Sequence, residues 1–145
     1  MKRPTRRAPE RNMSIQLNDA LHSMRSREPG KIGHLLWCCT SMERVTPAGR
    51  KLVHRMGYVA GWPDWVFLAP VVERGSGPDD HLGPGRVLYM ELKAGPTSAL
   101  SDEQRAVHAA LGAVGFTVVV RRSLESALAC AVQFARGAEE FDYDA

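Results

Sequence analysis

Apolar residues recur at helical spacing over 14–25, where Ile15, Leu17, Ala20, Leu21 and Met24 share one side of a 3.6-residue repeat. Pro29-Gly30 ends that helix. Within 34–40, the run Leu35-Leu36-Trp37-Cys38-Cys39 reads as a short buried strand. A second helix is predicted over 46–57, with Thr46 as N-cap, Pro47 in the first helical position and Gly57 just past its end. Strands follow at 65–72 and 86–93, joined by a Gly/Pro-rich loop. In the latter strand Leu88, Met90 and Leu92 alternate with Tyr89, Glu91 and Lys93, so one face is apolar and the other carries a ring and two charges. Ser101-Asp102-Glu103-Gln104 opens the next helix, with Ala106, Val107, Ala110, Leu111 and Val114 as its inward face, and Gly115 stops it. The near-continuous apolar run 116–121 predicts a strand covered on both faces in the interior of the sheet, and Ser123 caps a last helix reaching Arg136. This alternation predicts an α/β layer structure, helices on a mixed central sheet.

A chain of 145 residues makes one domain. It is expected over 12–137, between a flexible basic arm at 1–11 and a mobile acidic tail at 138–145. The formal net charge is +3; the last seven residues hold four acids and no base, so the body without them carries +7. Such a surface favours polyanions through counterion release. The three cysteines form no CxxC pair and read as reduced core residues of a cytoplasmic protein. No apolar run approaches a membrane span, so no membrane partner is expected. Neither a phosphate-binding lysine loop nor a dinucleotide glycine fingerprint is present, which argues against ATP or NAD chemistry. The five histidines show no HExxH or paired zinc spacing and read mostly as surface or helix residues.

Candidate chemistry lies where the two central strands begin and end. Gly61-Trp62-Pro63-Asp64 opens one, and Glu91-Leu92-Lys93 closes the other. If the strands pair, Asp64 and Glu91 converge as two carboxylates able to share Mg2+ or Mn2+, a hard cation that takes oxygen ligands and keeps several waters. Lys93, two positions along and on the same face as Glu91, can orient a water, take its proton or steady charge on a phosphate. The main-chain carbonyl of Leu92 is a further candidate ligand. Pro78-Asp79 also precedes Glu91, but it sits in the irregular loop, whereas Asp64 leads into Trp65-Val66-Phe67-Leu68.

In these motifs, together with Gly49-Arg50-Lys51, Gly57, the run 100–104 and the strand from Gly115-Phe116, the chain resembles the PD-(D/E)xK nucleases. Within them it is similar to the stand-alone VRR-NUC type found in phage and bacteria. The resemblance covers roughly 44–128 and implies a restriction-endonuclease-like core, magnesium- or manganese-dependent endonuclease activity on DNA and a 5′-phosphate product. It also implies branched DNA such as four-way junctions or flaps as substrate, a homodimer, and a bacterial or phage-infected cytoplasm. It adds Gln104 to the site residues. Members often carry a metal-binding glutamate in the first helix; 12–24 holds only Asp19, with Glu10 just upstream, so the ligand set beyond Asp64 and Glu91 stays open.

Each assignment has a plainer rival. Gln104 has the spacing of a capping box with Ser101, so a structural role stands beside the catalytic one. Arg50, Lys51 and Arg55 are candidates for phosphate contact or an ordinary exposed helix face, and Arg121, at a strand end, is a fourth candidate for DNA contact. Trp37, Trp62 and Trp65 read as core, with Trp62 next to Asp64 the one to test as a base platform. The competing classes are a non-cutting branched-DNA binder and a restriction or RNA-cleaving enzyme on the same scaffold.

Overall fold

Three strands form an antiparallel meander and a fourth joins it in parallel. The computed structural model describes residues 8–40, 55–57, 59–73 and 81–144. Strands β1 (Leu36–Cys39), β2 (Trp65–Glu73), β3 (His81–Leu92) and β4 (Thr117–Arg121) lie in the order β1-β2-β3-β4. β2 pairs antiparallel with both β1 and β3. β4 lies parallel to β3, a pairing that needs a crossover, and helix α3 (Asp102–Ala113) supplies it. Helices α1 (Ala8–Arg27) and α4 (Leu124–Ala135) and the single turn α2 (Pro29–Ile32) complete the described elements. The α/β class with a mixed sheet flanked by helices is thus as the sequence predicts.

The period-two pattern separates the faces. Phe67, Leu88, Met90, Leu92 and Val119 bury one face against Leu17 and Leu21 of α1 and Ala127, Ala131 and Phe134 of α4. Two indole N–H groups key α1 to the sheet, Trp65 donating to Ser14 Oγ at 2.8 Å and Trp37 to Asn18 Oδ1 at 3.0 Å. The opposite face, with Tyr89, Glu91, Val118 and Val120, receives α3.

Several expectations are corrected. Residues 8–11, assigned to a flexible arm, form the first turn of α1, because Met13 and Leu17 anchor it one turn later. Ile15 points outward. The inward face of α3 is Gln104, Val107, His108 and Leu111; Ala106 and Ala110 are exposed, and Val114 is 70% exposed. β3 starts at His81, inside the segment read as loop, and is bulged opposite Pro70 and Val72. Among the described strands β4 is the outermost rather than an interior one, and its apolar faces are covered by helices on either side. The tail is not detached: Tyr143 O accepts from the Val120 amide, Asp144 bridges in parallel to Val120, and Arg122 holds the Asp144 carboxylate at 2.8 and 3.0 Å. Cys38 and Cys39 are exposed, and only Cys130 is core. The helix predicted over 46–57 falls almost wholly outside the described residues, as does Pro78-Asp79.

Candidate metal centre

The β2–β3 register sets Trp65 opposite Met90, so the next pair outward is Asp64 and Glu91. Both side chains lie on the face away from the main core, since Trp65 and Met90 are buried in it. Asp64 Oδ2 accepts from the Leu92 amide at 2.9 Å, and its carbonyl accepts from the Thr40 amide at 2.7 Å, so it is held between β1 and β3. Pro63 is buried beneath it. Gly61 sets the approach of this loop: its φ is +85°, and a Cβ there would run into the Glu103 carbonyl and lie 2.7 Å from the Gln104 amide. Only glycine fits. The loop that leads into β2 is thereby seated on the first turn of α3.

Glu91 is 2% exposed. Its Oε1 accepts from Gln104 Nε2 and lies 3.5 Å from the Lys93 ammonium. Burial, and then the charge of Asp64, push its pKa up to about 8, with Lys93 pulling the other way. Lys93, also buried, is fixed just past the strand by its main-chain N–H, which donates to the Arg121 carbonyl at 3.0 Å. The two readings of Gln104 coexist. Its side-chain carbonyl accepts from the Ser101 main-chain N–H at 2.9 Å and its side-chain NH2 donates to Glu91, while Ser101 Oγ accepts from the Gln104 main-chain N–H at 3.1 Å.

Of the two acids left open in the first helix, Glu10 reaches this neighbourhood. Its Oε1 accepts from the Ala94 amide and the Ser98 hydroxyl, both at 3.4 Å, and its charge adds to the rise of the Glu91 pKa. Asp19 is exposed, about two and a half helical turns further along and on the opposite side of the helix. Among the described residues no three His, Cys, Asp or Glu side chains gather as a metal cage. Mg2+ does not require one, because it is commonly held by one or two carboxylates and retains waters. A buried acid whose pKa is pushed up beside a second acid is a donor set that a divalent cation would ionise and neutralise, so the residues fit the ion.

Among the proposed DNA contacts, Arg55 is exposed, and Arg50 and Lys51 lie outside the described residues. Arg121 is corrected. It is 5% exposed, and its guanidinium donates to the carbonyls of Val120 at 2.8 Å and Asp142 at 2.9 Å, on the α4 side of the sheet beside Cys130. A phosphate cannot reach it there. Trp62 meets Tyr89 edge to face at 5.6 Å, and Tyr89 meets Phe116 likewise at 5.8 Å, making an aromatic row along the face that carries Glu91.

One buried residue at the site was missed. His108 is 4% exposed, with Nε2 4.0 Å from Glu91 Oε2 and Nδ1 2.7 Å from the Tyr143 hydroxyl. Burial, reinforced by Lys93, lowers its pKa below the usual imidazole value. The ring is therefore neutral at pH 7 and the approach to Glu91 is not an ion pair. The signal was available, since Gln104 and His108 are four apart and share one helix face. For Tyr143 the sequence held none.

No protein-family model matches the sequence, and no curated protein matches it. A solved structure described as a "VRR_NUC domain protein" superposes with a TM-score of 0.55 over 94% of this chain and 94% of its own, at 20% identity. The chain therefore shares that fold, a four-stranded mixed sheet with flanking helices that fits a restriction-endonuclease-like core.

Proposed function

We propose that the protein is a metal-dependent endonuclease that hydrolyses phosphodiester bonds in DNA, with Asp64 and Glu91 holding Mg2+ or Mn2+. The observation that carries this reading is Glu91: a carboxylate at 2% exposure, with its pKa pushed up to about 8, facing a second acid and an ammonium. Packing alone gives no reason to bury that set. Glu10 is the candidate third acid, and the Leu92 carbonyl remains a candidate ligand. When bound, the ion supplies polarisation of the scissile phosphoryl group and a more acidic water. Gln104 fixes the Glu91 carboxylate by its side-chain amide. Lys93 positions the attacking water or takes its proton, and its charge steadies the phosphate as negative charge develops. The basic body and the exposed Arg55 favour a polyanionic substrate. The likeness to a VRR_NUC fold and the motif resemblance extend the reading to branched DNA, a 5′-phosphate product and a second copy of the chain as partner.

Cleavage of junction, flap, single-strand and duplex DNA under Mg2+ and Mn2+ titration tests it. Wild type is expected to cut, and Asp64→Ala and Lys93→Ala to lose about 100-fold or more in rate, the scale of a lost acid–base or charge-stabilising group. Equal nicking by all three proteins would end the proposal. Junction binding that persists in EDTA, without cleavage at any metal concentration, would make the protein a binder on a nuclease fold.

A further inference from the structure

Two buried side-chain atoms in the described structure have no hydrogen-bond partner, Glu91 Oε2 and His108 Nε2, and they face each other at 4.0 Å. Buried polar atoms are rarely left unpaired, because each such atom carries a desolvation cost. Here the two orphans belong to one contact, about 1 Å longer than a hydrogen bond. The other Glu91 oxygen is already engaged by Gln104 and Lys93. The far side of the ring is fixed by the docked C-terminal segment, through the Tyr143 hydroxyl at Nδ1. That segment is in turn fixed to β4 by the Asp144 bridge and the Arg122 fork.

We propose that the C-terminal segment is a positioning element of the metal centre: Tyr143 donates to His108 Nδ1, so the ring presents Nε2–H to Glu91 Oε2 and orients that carboxylate. The inference rests on the functional reading above and adds His108 and Tyr143 as positioning residues. The direction follows from donor logic. A ring that accepts at Nδ1 carries its proton on Nε2, and an N–H attracts the carboxylate where a lone pair would repel it. With Glu91 ionised, as it must be to hold the ion, the reverse tautomer would set two lone pairs against each other in a buried site. An outer partner of this kind typically changes metal affinity about 10–100-fold when removed.

The test is Mn2+ binding to the full chain by isothermal titration calorimetry, with the folding of each variant checked by circular dichroism. His108→Leu is expected to weaken Mn2+ by about 10-fold or more, and His108→Gln, whose amide offers a donor at the same depth, to recover most of the loss. Tyr143→Phe and Asp144→Ala act from outside the acid cluster and are expected to weaken Mn2+ by about 3–10-fold, a lesser effect than removing the direct partner. Above pH 8, where Glu91 is ionised, nitrogen chemical shifts of His108 should report the Nε2–H tautomer in wild type and a mixture in Tyr143→Phe. If His108→Leu does not fold, Tyr143→Phe and Asp144→Ala decide. Wild-type Mn2+ affinity in those folded variants, or an Nδ1–H tautomer in wild type with Glu91 ionised, overturns the inference alone. Wild-type protein that takes up no Mn2+ overturns the functional reading and this inference with it.

Discussion

Glu91 is held in the folded state against its own ionisation. Its folded pKa of about 8 lies above the ordinary 4.5, so between those values the native state binds more protons than the unfolded state. The metal-free protein should therefore lose stability as pH rises from 4.5 to 8 and level off above, read as a falling melting temperature. Mn2+ uptake, which must release that proton, should strengthen over the same interval. Glu91→Gln should raise metal-free stability at pH 8 by about 1–3 kcal/mol, a discounted share of the ionisation cost, and abolish cleavage. A variant that is destabilised at pH 8 would contradict the assignment. Arg121 makes the opposite case. Arg121→Ala should cost about 1–3 kcal/mol in denaturant unfolding, for the carbonyls it leaves unpaired, while DNA affinity stays unchanged. Asp64, Glu91 and Lys93 were legible because a strand's period of two is strict. Arg121 was not, because β4 is apolar on both faces and the period cannot say which face turns inward.

At the scale of elements, α3 joins the parts of the site. One turn of it caps itself, binds Glu91 and supports the Gly61 loop that delivers Asp64. Gly61→Ala should cost about 2 kcal/mol or more, from positive φ and main-chain overlap together, and should lower cleavage beyond that by shifting Asp64 relative to Gln104. Thermal melting and single-turnover rates check the two parts; wild-type values for both would show that the loop gives way freely. The cap of α3 was legible from Ser101 and Gln104. Its inward face was not, because two alanines and a valine, Ala106, Ala110 and Val114, imitate an apolar stripe, whereas the observed face turns polar Gln104 and His108 toward the carboxylate. Helix α1 was legible from Leu17, Leu21 and Met24, but its first turn, and so the place of Glu10, depended on contacts with 94–98 that no local pattern encodes.

For the whole molecule, the class of fold followed from the alternation of strands and helices, while the order of strands and the course of the C-terminal residues did not. Sequence composition makes an acidic run look solvated. Its docking depends on Arg121 and Arg122, twenty or so positions earlier, which meet it only once β4 is in place. The two margins of the sheet are consequently unlike.

β4 is bordered by the chain's own C-terminal residues, whereas among the described residues no strand borders β1 on its outer side. Along β1, Leu36 is 58% exposed and the Cys38 thiol is exposed, so a contact between two copies at that strand would bring thiols together. Air-oxidised samples should show a cross-linked species on non-reducing gels that vanishes in Cys38→Ser protein, and its persistence there would place the linkage elsewhere. Stored without reductant, the protein would record in a covalent bond which side of it is sticky.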